Sequence, residues 1–238
     1  MKRPAELMTI ANNILGTGQL SLAKYLFITA EDQEPITTHD EKQFLSYILE
    51  RVDFRRDIHF QTNTTIDTLD YSGTGLNSGS KVIIAAYGKQ KRQLCTNVPE
   101  ELHTNPVFNK AKLIMPGVVA IEGSSFSTYK QAEVEIEEFC TTLAKVDLTT
   151  CPLLIVCDDS TFLSDTISNF LWATFTRSNP SHDIYGVNSF YQYKHWGCDT
   201  MIIDARIKPH HAPPLVLDHD VEKRIQRFFH EDGTIKQA

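Results

Sequence analysis

Several stretches of this sequence hold residue types that chemistry uses, and their spacing decides what each can do. GTGQ at 16–19 sets two glycines where backbone could approach an anion, but it has the spacing of neither a P-loop nor a dinucleotide fingerprint. The carboxylates of EVEIEEF at 133–139 fall on the outer face of an amphipathic helix, the place for solvated charge. Asp158 and Asp159 follow an apolar run and could take Mg²⁺, yet an acidic pair there more commonly caps the next turn or helix. Ser124 and Ser125 in EGSSF sit where a nucleophile would, without the G-x-S-x-G pattern of a hydrolase elbow. His210 and His211 are neighbours in the extended arm KPHHAPP, so their rings point apart and no further ligand is spaced to complete a metal site. The five cysteines (Cys95, Cys140, Cys151, Cys157, Cys198) form no C-x-x-C pair and read as reduced, buried thiols. Trp172 and Trp196 read as core or interface anchors.

The elements that must position these residues come from an ordinary globular composition. The chain has 238 residues, 41% hydrophobic and 22% charged, enough for one large domain or two small ones. A net charge of −7, with KQKR at 89–92 as the longest basic run, excludes a nucleic-acid footprint. No apolar run reaches the roughly 18 residues of a membrane span. MKRPAEL has a basic start but no signal-peptide core behind it, so a cytoplasmic protein is expected.

Apolar periodicity gives the same order of elements twice. Leu7, Ile10, Ala11, Ile14 and Leu15 form a helical stripe that Gly16 can end in the left-handed conformation. KYLFIT at 24–29 reads as a buried strand, AEDQEP as an acidic turn, and Phe44, Leu45, Ile48, Leu49 and Val52 as a helix ending near Asp57. In the second half Ile136, Phe139, Cys140 and Leu143 make a stripe, LLIVC at 153–157 a strand, DDS a turn and ISNFLWATF a helix. FLSYILERVDFRRDI (44–58) and FLWATFTRSNPSHDI (170–184) share Phe44/Phe170, Leu45/Leu171, Arg51/Arg177, Asp57/Asp183 and Ile58/Ile184.

The expectation is an α/β fold of two tandem related units, each a small mixed sheet covered by helices. The first spans 1–92, a connection fills 93–116 with no regular element expected at 97–110, and a degenerate second copy spans 117–238, with a Pro-rich arm and a terminal helix carrying Val221, Ile225, Phe228 and Phe229. Val118 to Ile121 forms a strand ahead of the second unit's first helix, whereas Met1 to Pro4 fills that place in the first unit. That gap suggests a carboxy-terminal piece of something larger, with an open sheet edge that recruits a neighbour.

The same residues carry a family resemblance. ILGTGQLSLAKYLFITAED, DFRRDI, NTTIDTLD at 63–70 and GSKV at 79–82 resemble the carboxy-terminal domain of the UbiD-like decarboxylases, of 3-octaprenyl-4-hydroxybenzoate carboxy-lyase type, which act with prenylated flavin mononucleotide. LIVCDD at 154–159, LWATFTR at 171–177, Asn179-Pro180 and Asp183 show the family's habits again. There are departures: the acid usual four residues after the GSK lysine is Ala85, and the second unit keeps it as Asp204 without the lysine.

The resemblance implies that flavin, divalent metal and K⁺ are held by an upstream catalytic domain, together with an arginine and two carboxylates for acid/base work. No such set occurs here, so the chain is expected to be inactive alone. By position, Leu22, Thr64, Thr65 and Ile66 would line the substrate pocket, and Gly18 would near the flavin phosphate, with Lys24 and Lys81 adding charge. The implied function is the lid and assembly region of a carboxy-lyase for an aromatic or unsaturated acid, as in quinone biosynthesis. Its partners would be the upstream domain and further copies of itself. The alternative is a non-catalytic oligomerisation module.

Overall fold

A computed structural model describes residues 4–30, 36–213, 218–226 and 228. Helix α1 (Pro4–Leu15) leads through a short 3-10 turn (Gly18–Leu22) into β1 (Tyr25–Thr29), whose apolar residues suit a strand covered on both faces. Gly16 does not adopt the left-handed conformation; α1 ends where the Thr17 hydroxyl donates to Asn13 O at 2.7 Å, and Gly18 takes the positive φ of 52°. The acidic turn expected after β1 lies largely outside the described residues. Helix α2 (Glu41–Arg51) starts on Asp40, whose carboxylate accepts from Gln43 N. It stops earlier than expected, because the Asp57 carboxylate accepts from Asp53 N and closes residues 53–57 into a turn. Strands β2 (Ile58–Thr64) and β3 (Gly79–Ala86) complete a sheet ordered β1-β3-β2, with β1 and β3 parallel and β2 antiparallel.

The connection holds more structure than its prolines and asparagines suggest. A 3-10 turn at Glu100–His103 forms because Leu102 is buried in the second half's core. Strand β4 (Asn109–Met115) then pairs antiparallel with β5 (Val118–Glu122). Next come α3 (Tyr129–Leu143), β6 (Leu153–Cys157), α4 (Ser160–Asp165), α5 (Ile167–Thr176) and a single turn, α6 (Pro180–Asp183). Strand β7 (Ile184–Val187), a hairpin of β8 (Phe190–Gln192) and β9 (His195–Gly197), and β10 (Thr200–Asp204) follow. The second sheet runs β4-β5-β6-β10-β7.

Its β6-β10-β7 portion has the strand directions of the first sheet. Phe27, Ile84 and Ile58 lie side by side in one sheet as Ile155, Ile203 and Ile184 do in the other. The turns after α2 and α5 close alike: Asp57 accepts from Asp53 N at 2.9 Å, and Asp183 from Asn179 N at 2.6 Å. On this register Ala85 and Asp204 occupy matching places.

Three cores hold the layers. Helix α1 covers one face of the first sheet through Leu7, Ala11 and Leu15 on Ile83 and Ala85. Helix α3 covers one face of the second through Ile136, Phe139 and Leu143 on Val119, Ile121, Leu154 and Ile202. The remaining faces of both sheets share a core with α2, α4 and α5, where Ile48, Val82, Ile84, Ile155, Phe170 and Ile203 are buried. Each such side chain stabilises the fold by about 1.5–3 kcal/mol. The turns cross over between the halves. Asn179 Oδ1 accepts from Ser80 N (3.1 Å) and Ser80 Oγ (2.5 Å), while Cys198 N donates to Phe54 O and the His195 ring to Arg55 O.

The terminal helix α7 (His219–Gln226) buries none of its described side chains; Ile225 and Phe228 are about half exposed, and Phe229 lies outside the described residues. Among the described residues no helix is long and apolar enough to cross a membrane.

Candidate functional site

The starts of β1 and β3 and the end of β2 lie at one end of the first sheet, because β1 and β3 run together and β2 runs back. Lys81, second after Gly79 in β3, puts its ammonium there and donates to Ser21 O and to Thr65 O at 2.7 Å. One buried cation thus ties the 16–22 turn to the 64–66 loop. Desolvation lowers its pKa. Gly18 has open space where a Cβ would stand, and Gln19, Leu20 and Thr65 are exposed, so the two segments face solvent. Leu22 is half buried and lines a cavity of about 320 Å³ with Tyr25, Phe27 and Phe175. Thr64 is half buried. Ile66 is fully buried, and packs where Cβ atoms on Gly73 or Gly79 would stand only 2.6 and 2.7 Å from its Cδ1.

Lys24 is committed differently. Its three ammonium donors have three acceptors: the Asp70 carboxylate (2.8 Å), Ser72 Oγ (2.5 Å) and Ser178 O (2.8 Å). Desolvation lowers its pKa, with Asp70 pulling the other way. The Tyr25 hydroxyl and Ser178 Oγ lie 2.7 Å apart, so the start of β1 is bonded to the second half.

A second charged network, which sequence reasoning missed, fills the end of β10. Arg206, fully buried, donates to both oxygens of Asp204 (2.9 and 2.8 Å) and to Ser124 O, and it meets Glu135 at 3.3 Å. Glu135 is therefore the one acid of EVEIEEF drawn off the solvated face, while Glu133, Glu137 and Glu138 remain exposed. The Ser124 hydroxyl donates to Glu135 at 3.0 Å. Lys208 Nζ sits 3.2 Å from Asp183 and donates to the carbonyls of Arg177 and Asp204. Burial pushes Asp183 up to about 7 against the pull of Lys208. The signals were Asn179-Pro180, Asp183 and the lysine of ARIKP, but nothing in their spacing showed that they converge.

Asp159 caps α4 by accepting from Phe162 N, and Asp158 accepts from Ile207 N. Trp196 packs on Phe60, whereas Trp172 is 54% exposed. Among the described residues no group of three or more His, Cys, Asp or Glu could hold a metal ion. All five cysteines are free thiols.

Residues 1–86 match the 3-octaprenyl-4-hydroxybenzoate carboxy-lyase C-terminal domain. The chain is 31% identical over 230 residues to a protein of Chlamydia pneumoniae named as a subunit of 4-hydroxybenzoate decarboxylase, covering 94% of this chain and 36% of that protein. An uncharacterised protein of Chlamydia trachomatis is 29% identical over 228 residues, again 94% of this chain and 37% of the relative. The chain thus spans little more than a third of the length of these relatives. Among solved structures, the open form of the vanillic acid decarboxylase of Sedimentibacter hydroxybenzoicus covers 70% of this chain and is covered to 44%, at 14% identity and a TM-score of 0.33, a likeness too slight to argue from. Over residues 1–86 the chain is similar to the carboxy-terminal domain of the UbiD-like decarboxylase family.

Proposed function

We propose that this chain is the lid and assembly region of a UbiD-like carboxy-lyase that acts non-oxidatively on an aromatic or unsaturated carboxylic acid of the quinone-biosynthesis type. In this reading prenylated flavin, divalent metal and K⁺ are held by a catalytic domain upstream, and the chain alone releases no carbon dioxide. The observation that carries it is the Lys81 ammonium, which holds the 16–22 turn and the 64–66 loop together at an exposed end of the sheet. Gly18 leaves room there for a bulky anion to approach backbone. Thr64, Thr65 and Leu22 border the same end and would face the substrate, with Ile66 buttressing the loop from beneath. Lys81 would contribute field while holding both loops; Lys24 could contribute only field, since its donors are taken.

The two halves are read as copies of one unit. Matching strand directions, the aligned Ile58 and Ile184, and the alike Asp57 and Asp183 turns support this. The second reading, a non-catalytic assembly module in the cytoplasm, is favoured by one observation: the start of β1 is bonded to Ser178 of the second half. The test is to join the chain to an upstream UbiD-like catalytic domain and assay carbon dioxide release from 4-hydroxybenzoate with Gly18→Asn, a residue that tolerates the positive φ, and Thr65→Arg. Loss of turnover with an unchanged melting temperature supports the lid; full activity in both variants refutes it.

A further inference from the structure

Two cysteines far apart in the chain meet where the connection joins the second half. Cys95 lies in the connection ahead of β4, and Cys151 lies just before β6. Cys95 N donates to Thr150 O at 2.8 Å, and Cys95 O accepts from Gly117 N at 3.0 Å. Gly117 O accepts in turn from Leu153 N, so three segments brace one another. Gly117, at a φ of 77°, lets Leu94 pack directly on the β4–β5 turn, where a Cβ would stand 2.6 Å from Leu94 Cδ2. One hydrogen bond thus joins residue 95 to the peptide ahead of residue 151. Standard bond lengths then place the two Cα atoms roughly 5–6 Å apart, inside the span of about 4.4–6.8 Å that a disulfide bridges. Both side chains enter the same core, where the Cys151 S–H donates to Cys95 Sγ.

The two thiols differ in access and in charge. Cys95 is half-buried, and Thr96 and Thr150 beside it are exposed, so solvent reaches its sulfur; Cys151 is fully buried behind it. The Cys151 hydrogen bond, helped by the backbone N–H groups of Gly117 and Cys95, outweighs burial and brings Cys95 down to about 7, which leaves a good part of it thiolate at neutral pH. The hydrogen bond to Cys95 pushes Cys151 up, and burial and the Cys95 charge add to that. Burial raises Cys140 and Cys157 to about 12 and also raises Cys198. Of the five thiols, one is therefore accessible and easily ionised, with a second in contact behind it.

We propose that Cys95 and Cys151 form a reversible redox site oxidised by hydrogen peroxide, with Cys95 as the attacking thiol and Cys151 as the resolving one. The Cys95 thiolate attacks the O–O bond: an S–O bond forms, hydroxide leaves, and it takes up the proton that Cys95 had released, giving water and a Cys95 sulfenic acid. With the Cys95 anion gone, the hydrogen bond and charge that held the Cys151 proton are gone too. The Cys151 sulfur then attacks the Cys95 sulfur; the S–S bond forms, the S–O bond breaks, and the oxygen leaves with the Cys151 proton as a second water. The two sulfurs give up two electrons, and one peroxide becomes two waters. The bridge ties the connection to the base of β6, and a dithiol reductant reopens it.

The test oxidises the folded chain with hydrogen peroxide at neutral pH and maps its peptides without reduction. Two of the five free thiols should disappear, a peptide pair linking residues 95 and 151 should appear lighter by two hydrogens, and dithiothreitol should restore all five thiols. Cys151→Ser should halt at a Cys95 sulfenic acid that dimedone traps, and Cys95→Ser should react with peroxide at least about tenfold more slowly. Oxidation in urea should scatter the pairing among the five cysteines, because the fold selects this pair. Five intact thiols after treatment, Cys95 paired with any other cysteine or with a second chain, Cys95 sulfinic acid in place of the bridge, or the same bridge at the same yield in urea would each overturn the proposal.

Discussion

Removing the Lys24 ammonium should cost stability in a way that depends on Asp70. The pair is close (2.8 Å), with side chains 7% and 16% exposed. At an effective dielectric of about 20, two charges at that separation attract by about 6 kcal/mol before desolvation. Desolvation of Lys24 outweighs that pull, since its pKa lies below the ordinary 10.5. The pair's net contribution is therefore small, while breaking it strands a buried charge. Lys24→Met leaves the Asp70 carboxylate beside an apolar chain, and Asp70→Asn leaves an ammonium with only Ser72 and Ser178 O. Each single change should cost about 3 kcal/mol. The double change strands no charge and should cost about 1 kcal/mol rather than 6, a coupling of about 5 kcal/mol.

Urea unfolding of the four proteins at neutral pH measures this. The sign with pH is also fixed. Below the lowered pKa both folded and unfolded chains carry the Lys24 proton and the burial penalty is felt in full. As pH rises through that value towards 10.5 the native state sheds the proton first, so stability rises. Lys24→Met should lack this rise. Single costs that simply add, to within about 0.5 kcal/mol, would refute the reasoning.

Two further outcomes follow from local geometry. A Cβ on Gly197 would stand 2.8 Å from Phe54 O and 2.9 Å from Arg55 Cα, both backbone, so Gly197→Ala should destabilise by about 1–3 kcal/mol in a thermal melt, and an unchanged melting temperature would contradict the packing. A hydrogen bond from Cys151 brings the Cys95 thiol down to about 7 from 9.0, while burial pushes Cys140 and Cys157 up to about 12, so iodoacetamide near neutral pH should label Cys95 first, and Cys151→Ala should slow that labelling; even labelling across the five thiols in peptide mapping would count against it.

What the sequence showed in advance were features with a period or a local rule. The stripes Leu7/Ala11/Leu15 and Ile136/Phe139/Leu143 and the apolar runs YLFIT and LLIVC fold as their spacing predicts, because burial of one face or of both is written every third, fourth or successive residue. The Asp159 cap was equally local. What did not show depends on partners far away in the chain. Lys24 meets Asp70 and Ser178, and Glu135 leaves its solvated face for Arg206, through contacts that no window of sequence contains. Trp172 was expected to anchor a core or an interface; its exposure beside Arg177 follows from where the 67–71 loop and the arm end up. Of the candidate site, the exposed 16–22 turn and 64–66 loop were legible as motifs. That one lysine joins them was not.

The crossed turns have a consequence for synthesis on the ribosome. Ser80 waits for Asn179, 99 residues later, and Phe54 for Cys198, 144 residues later. Until then the inner sheet face of Val82, Ile84 and Ala86 has only α2 to pack on, and the rest of its cover, Phe170, Met201 and Ile203, has not yet been made. At about 5–20 residues per second that face stays incompletely covered for on the order of ten seconds. The nascent first half is thus a sheet in search of an apolar partner, the state in which a holding chaperone would act and in which a stalled chain would aggregate.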